Sequence, residues 1–542
     1  MRADDRSTAP VRELSQGVAQ EVRTASRARH ARGRGAARRW MTPERTVVFG
    51  LGLLVLVVHD VGYALGQPFW VDEAWVAVTT RFPLAQLPAI TSSTPIGWSM
   101  VLRVFTVGGD QTSRLLPLAF AGAAVVVAYW FARGLGWRSR DASVIAALLS
   151  GFGVLLVPAM LVRNDLKQYT ADAFMALLIL AVTSRVERTW SRRRLIELSA
   201  VVSGGMFVSH TAVFVGAAAF GALCLVEFAR RSWGRLVETV VAGAGAAVLM
   251  VGIYVAFDAR SVVPGLTAYW SKYYLPLGDG VRASMHFVAA RFDGGSRFFG
   301  LGPTWLMLTL LVVGLVTIFR LGRPATSLAV VALWPGLLVV SALKKYPFLD
   351  VRTSTFLFVV TVVVAAMGVA GLYAFFRPRL KGAVSIALVA LAVGAFGINA
   401  HPYMRSHSIG TENVRDQARY VAGNAAPDDV ILVNLSSNWG FGYYWPIGHP
   451  SRVANDVVLQ GYEAYFPDQQ RIVVARDRDV AAIAEALTEA RARASEHPGA
   501  QIWLIRTHVA AFEQESWETV LTEEGLTAVP VGNDGLSVVQ VS

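Results

Sequence analysis

Cysteine is nearly absent from this chain: one, Cys224, in 542 residues. A single thiol excludes an intrachain disulfide framework and a cysteine-rich metal site. Its place in an apolar run fits a small buried side chain. Charge is scarce as well. Asp, Glu, Lys and Arg make up 16% of the chain, where ordinary soluble domains carry about 25%. Acidic residues are the rarer kind, 38 against 50 Lys and Arg, for a net +12. No HExxH, GxSxG or Walker A pattern occurs, which sets aside the zinc-protease, serine-hydrolase and P-loop chemistries those motifs support. What fills the space is apolar: 54% of residues are hydrophobic, and mean hydropathy is +0.45.

That composition is built for lipid. Apolar runs near the length needed to cross a bilayer lie at 46–64, 114–133, 141–158, 169–186, 195–209, 212–228, 236–257, 303–320, 325–343, 354–376 and 382–399, eleven in all. The links "RGLGWRSR" (133–140), "RVERTWSRRR" (185–194), "ARRSWGR" (229–235), "RLGR" (320–323) and "RPRLK" (377–381) are short and basic. With the N-terminus cytoplasmic all five face the cytoplasm, as the positive-inside rule requires. This holds provided "PIGWSMVLRVFTV" (95–107), which carries Arg103 in its middle, lies in the outer interface as an amphipathic helix. The positive excess is therefore a topology signal, and no nucleic-acid partner is expected. Residues 1–45, with "RTASRARHARGRGAARRW", read as a disordered basic cytoplasmic tail able to touch anionic headgroups, not as a cleaved signal.

The remaining segments are long and face outward: 65–113, 159–168, 258–302, 344–353 and everything after 400. In 401–542 charge returns. "DDVILVNL", "QRIVVARD" and "AQIWLIRTH" read as buried strands and "DVAAIAEALTEARARASEH" as an amphipathic helix, a soluble α/β domain. The expected fold is a polytopic α-helical membrane protein with about 11 spans in 46–400 and an extracytoplasmic C-terminal α/β domain, in the plasma (inner) membrane.

Charged residues of the outer segments recur at the ends of spans. The first group is Asp72–Glu73 within "WVDEAW"; the second is "RNDLKQYTAD", with Arg163, Asp165, Lys167, Tyr169 and Asp172. The third is "LKKYPFLDVR", with Lys344, Lys345, Tyr346, Asp350 and Arg352; "AYWSKYYLP" (268–276) is a weaker fourth. Carboxylates on one loop and cations on two others suit group transfer from a lipid phosphate. Lys and Arg bind the phosphate and neutralise the leaving group, while a carboxylate opposite takes a proton from an incoming hydroxyl. Each group also has a plain reading. Asp72–Glu73 fits a solvated loop pair, and Lys344, Lys345 and Arg352 fit snorkelling at the interface. Asp172 fits a helix cap, His210–Thr211 a packed turn, and Tyr269, Trp270, Tyr273 and Tyr274 an aromatic belt.

Taken in order, "WVDEAW", "TPIGW", "RNDLKQYTAD" and "KKYPFLDVR" resemble the loops of the GT-C superfamily. These are multi-span glycosyltransferases that use polyprenyl-phosphate sugars, and the likeness is greatest to the protein O-mannosyltransferase and lipid A aminoarabinose transferase branch. The resemblance implies Asp72 as catalytic base with Glu73 in support. It implies Asp165, Lys167 and Asp172 shaping the donor site, and Lys167, Arg163, Lys345, Tyr346 and Arg352 at the donor phosphate. Tyr169, Asp172 and His210 would line the donor and acceptor pocket. It also implies inversion at the anomeric carbon. A divalent metal (Mg²⁺ or Mn²⁺) held by Asp72 and Asp165 is one way to supply positive charge; the basic residues alone are another. The sequence departs from the aminoarabinose branch where Ser93 and Thr94 precede Pro95 in place of a lysine. The C-terminal domain has no counterpart in the protein O-mannosyltransferases, so a cell-envelope glycan or glycolipid stands beside protein as acceptor. A lipid-linked sugar transporter or flippase is the rival from another class. It would show internal repeats and ionisable residues at the bilayer midplane, and neither is visible here.

Overall fold

The computed structural model describes residues 43–541 apart from stretches at 92–93, 107–108, 164, 262–268, 379–381, 406–411, 446–451, 457–460, 466–469 and 533–534. The tail expected to be disordered, 1–45, falls almost wholly outside the described residues, and so does Ser93. Packing divides the chain into Met1–Leu51 and Gly52–Ser542; apart from the start of helix Pro43–Val58, the spans, loops and sheet described below belong to the second unit.

All eleven apolar runs are helical. Six helices are long and apolar enough to cross a membrane: Asp110–Arg133, Tyr169–Arg188, Ala212–Ala229, Trp233–Ala256, Pro324–Ala342 and Thr355–Phe376. Three of the other runs form shorter helices, Arg140–Leu155, Arg192–Gly205 and Thr304–Arg320, and 382–399 lies inside Gly382–Arg405. The first run is interrupted: Pro43–Val58 stops, and Asp60, in a left-handed conformation (φ 45°), caps Val61–Gly66 by accepting from the Tyr63 N–H. Aspartate tolerates that backbone and supplies the acceptor the new helix needs.

Trp233–Ala256 shows what solvent the bundle is built for. Val237, Val240, Val241, Val248, Leu249 and Val251 are all exposed on it, a cover that only lipid would match. At the centre, Thr355–Phe376 packs against Arg140–Leu155, Tyr169–Arg188 and Thr304–Arg320. Where it crosses the last of these, Gly314 and Gly368 bring the backbones together. A Cβ on Gly314 would lie 2.0 Å from the Val364 carbonyl oxygen, the small-residue contact by which membrane helices approach closely. The five basic links gather at one end of the bundle. Arg188 donates to the Gly134 carbonyl, Arg377 pairs with Asp141, and Arg192 pairs with Glu238. Arg235 lies over Trp190, and the Ala325 and Thr326 N–H groups donate to Glu187.

The C-terminal strands and helix lie where their patterns predict. β1 (Val430–Val433), β4 (Ile472–Val474) and β5 (Ile502–Ile505) are the three expected strands, and Val480–Ser495 is the expected helix. β6 (Leu526–Pro530) and β7 (Leu536–Val541) complete a five-stranded sheet in the order β4-β1-β5-β7-β6; β2 (Arg452–Asp456) and β3 (Gly461–Tyr465) form a separate antiparallel pair. β1 runs parallel to β4 and β5, and β7 antiparallel to β5.

Alternation along the strands sorts two cores. Val430, Leu432, Ile502 and Leu504 face Ile483, Leu487 and Trp517 of helices Val480–Ser495 and Ala511–Glu523. Ile431, Val433, Trp503 and Ile505 face the other way, into a core shared with Phe69, Ala77, Phe82 and Trp98 of the first long loop. The domain is thus fused through apolar packing to the loop that carries "WVDEAW". The short segment expected at 95–107 is the helix Ile96–Phe105. It buries Trp98, Ser99 and Leu102 and leaves Met100, Val101 and Val104 exposed.

Candidate active site

Three loops from distant parts of the chain meet at one point. Asp72 sits in the first turn of helix Val71–Thr79. Lys167 comes from the loop before helix Tyr169–Arg188, and Arg352 from the turn before Thr355–Phe376. Arg352 donates a short hydrogen bond to Asp72 and a second, at 3.2 Å, to Asp165. The Lys167 Nζ is 3.4 Å from the same Asp72 oxygen, Oδ2.

Both cations are presented in the same way. In Asp165-Leu166-Lys167 the Asp165 carboxylate accepts the N–H of Lys167 at 2.9 Å. In Asp350-Val351-Arg352 the Asp350 carboxylate accepts the N–H groups of Arg352 and Thr353 at 3.2 and 3.0 Å. Each is an Asx-type turn, which fixes the backbone that carries the cation. Strain marks the third loop as well: Lys344 and Leu349 both have positive φ, 54° and 47°. Non-glycine residues in that region cluster at functional loops.

Aromatic rings wall the cluster. Arg352 lies over Trp70 at 5.3 Å and Tyr169 at 5.6 Å, and Lys167 lies over Trp75 at 5.1 Å. The tryptophans of "WVDEAW" therefore line the site. The walls keep water out and strengthen the charge interactions inside. Burial opposes the charged form of Asp72, but Lys167 and Arg352 outweigh it and hold the carboxyl well below the ordinary carboxylate range. Burial pushes Asp165 up against the pull of the same two cations, and pulls the Lys167 amine down despite Asp72.

Other residues singled out from the sequence stand elsewhere. Glu73, one position on, points into the protein. Arg114 Nε and Nη2 donate to its two carboxylate oxygens at 2.7 and 2.5 Å. The two side chains are 1% and 2% exposed. Arg114 also donates to the carbonyls of Ala64, Gln67 and Pro68, so this pair folds the chain leaving the first span. Asp172 accepts from Ser209 at 2.6 Å and Thr211 at 3.3 Å, tying the turn at 209–211 to helix Tyr169–Arg188. His210 lies beside Asp258, 3.6 Å away. Tyr346 donates to the Thr353 carbonyl and packs edge-on against Phe214. Arg163 is buried over Tyr63. Lys345 is exposed and makes no ion pair among the described residues. Thr94, at the departure from the aminoarabinose pattern, is buried against Ser99.

The donor set does not suit a hard divalent cation. Among the described residues no group of three or more His, Cys, Asp or Glu side chains gathers as metal ligands. Asp72 and Asp165 share Arg352, with Lys167 alongside. Mg²⁺ or Mn²⁺ prefers oxygen ligands without competing cations among them.

Sequence reasoning missed the C-terminal contribution. Tyr444 accepts the Phe69 N–H at 2.9 Å and donates to Asp110. Arg415 pairs with Asp110, Trp439 packs on Trp75, and Glu412 accepts the Val71 N–H. No local pattern signals these contacts, because each partner lies more than 300 residues from its mate along the chain; the shared core brings them together. Arg114 was legible in principle, as a charge at the mouth of an apolar run.

No family model and no curated protein matches the chain by sequence. Its structure is similar to that of ArnT from Cupriavidus metallidurans, solved bound to undecaprenyl phosphate and in the apo state. In each case the TM-score is 0.52 at 14% identity, over 92% of this chain and 98% of that one. Arabinosyltransferase EmbB from Mycobacterium smegmatis also matches, at TM-score 0.35 and 14% identity over 72% of this chain and 44% of that one; so low a score carries no argument. The likeness to ArnT is one of fold.

Proposed function

We propose that the chain is an inverting membrane glycosyltransferase that moves a sugar from a polyprenyl-phosphate donor to a hydroxyl of an extracytoplasmic acceptor: a cell-envelope glycan, a glycolipid or a protein. The observation that carries this reading is Asp72 held between Arg352 and Lys167. That the ArnT structure holds undecaprenyl phosphate supports a polyprenyl lipid as donor carrier.

The resting pairing has a consequence for mechanism. A carboxylate with so low a pKa is a poor base. A donor phosphate arriving at Arg352 and Lys167 competes with Asp72 for both cations, since phosphate oxygens are strong acceptors for guanidinium and ammonium groups. Donor binding thereby frees Asp72 and raises its basicity. Asp72 then takes the proton of the acceptor hydroxyl as its oxygen attacks the anomeric carbon. The bond from that carbon to the phosphate oxygen breaks, its electron pair leaves with the polyprenyl phosphate, and Arg352 and Lys167 stabilise the charge that develops. Attack from the face opposite the leaving group inverts the anomeric centre. No step needs a metal.

The test is transfer of label from a panel of polyprenyl-phosphate sugars (mannose, arabinose, glucose, amino sugars) to envelope acceptor extract, in nanodiscs, with Asp72→Asn alongside. Label reaching acceptor with the native protein but not the variant is the expected result. Transfer that survives Asp72→Asn refutes the base. Movement of the lipid-linked sugar across the membrane, with no transfer to any acceptor, would establish the flippase reading instead.

A further inference from the structure

We propose that Glu412 and His508 of the C-terminal domain are positioning residues for Asp72, capping from another domain the helix that carries it. The reading rests on the proposed transferase, and its test is chosen to stand apart from that.

Helix Val71–Thr79 begins badly by itself. Its N-cap residue is Trp70, which makes no side-chain cap hydrogen bond; indole has a donor but no acceptor oxygen. The usual caps are Ser, Thr, Asp and Asn, which accept an N–H of the first turn. Locally, Glu73 accepts the Trp70 N–H at 3.4 Å. Glu412 supplies a missing acceptor. Its Oε2 takes the N–H of Val71, the first residue of the helix, at 2.9 Å, one position before Asp72.

The other Glu412 oxygen is engaged by His508 Nδ1 in a short contact. His508 follows β5 and holds a left-handed backbone, φ 52°, which few side chains adopt without an over-determining environment. The carboxylate thus lies between the helix and an imidazole anchored just past the end of β5, the central strand of the sheet. The Glu412 hydrogen bond, against partial burial, lifts His508 above its ordinary value of 6.5; Arg478 opposes and Asp72 adds to the lift. Glu412, Arg478 and Asp72 are the charged groups that face it. Protonated His508 pairs with the Glu412 carboxylate and holds it in place, and an anion at a helix N-terminus is itself favourable.

The experiment uses the full chain in nanodiscs. Amide hydrogen exchange of the peptide spanning 70–76 is compared in native protein, Glu412→Ala, Glu412→Gln and His508→Asn, with melting temperature as a folding check. Faster exchange there in Glu412→Ala and His508→Asn is expected, and Glu412→Gln, which keeps an oxygen for the Val71 N–H, should fall between. In transfer assays Glu412→Ala should lose about tenfold or more in kcat with donor KM within about threefold, the mark of misplaced chemistry rather than lost binding. Native activity should fall as pH rises through the lifted His508 pKa, and His508→Lys should remove that limb. Unchanged exchange at 70–76 in a folded Glu412→Ala protein, or an intact kcat with only a lowered melting temperature, overturns the proposal. Should native protein transfer no sugar at all, the exchange result alone decides for or against the capping.

Discussion

Arg352 reaches Asp72 across 280 positions of sequence and places its guanidinium between that carboxylate and Asp165. This one contact joins the first loop, the second loop and the last membrane turn into a site. On the proposed mechanism it also masks the base until a donor phosphate competes for Arg352 and Lys167.

Arg352→Ala and Lys167→Ala should each lower kcat by about a hundredfold or more, because each removes a charge aimed at the leaving phosphate. Arg352→Lys should recover only part, since an ammonium cannot make the forked contact. Lys345→Ala, at an exposed side chain, should cost less than about tenfold. Single-turnover rates with a saturating lipid-linked donor would rank the four variants.

Acid should reveal the Asp72 pairing as a stability effect. The folded-state pKa of Asp72 is depressed below its ordinary 3.8. The pairing therefore contributes stability that is fully present above that ordinary value and is lost as pH falls through the folded-state pKa. The gap in melting temperature between native protein and Arg352→Gln should be constant from pH 7 to pH 5 and narrow only below about pH 4. A gap that closes near pH 6 would point to a different titrating group.

Glu73 and Arg114 should behave as a structural pair. Glu73→Gln or Arg114→Met alone leaves a buried partner uncompensated, costing about 3–5 kcal/mol. The double replacement Glu73→Leu with Arg114→Met should restore part of that, less whatever the lost hydrogen bonds to the Ala64, Gln67 and Pro68 carbonyls contributed. Melting temperatures of the four proteins form the cycle. If Glu73→Gln keeps its stability and loses only turnover, Glu73 belongs with the chemistry.

Chelation should not slow transfer. With two cations already seated among Asp72 and Asp165, EDTA is expected to leave the rate unchanged, and added Mg²⁺ or Mn²⁺ to leave it unchanged as well. Loss of activity in EDTA with recovery on either ion would show that the carboxylates take a metal when donor is bound.

Much of this protein is written locally. Apolar runs specify helices because an apolar segment in lipid must satisfy its own backbone. The basic links predict which span ends share a side, and the structure gathers all five at one end of the bundle. Short continuous apolar runs gave β1, β4 and β5, while β6, β7 and the β2–β3 pair lay in stretches with weaker patterns. Asp-Leu-Lys and Asp-Val-Arg are local turns and could be read as such from three residues each. Asp72, Asp165, Lys167, Tyr169 and Arg352 were all among the candidates, because charges at the mouths of spans are rare and conspicuous.

Tertiary structure alone decided how those candidates divide. Asp72 and Glu73 are neighbours in sequence, yet successive residues on a helix point about 100° apart, so one faces Arg352 and the other Arg114. Composition cannot foresee which. Nor can it show that a helix begun by a tryptophan is capped from a domain that starts more than 300 residues later; that contact exists because the sheet turns one apolar face toward the loop of the first span. Local chemistry specified the parts of the site, and long-range packing chose their partners.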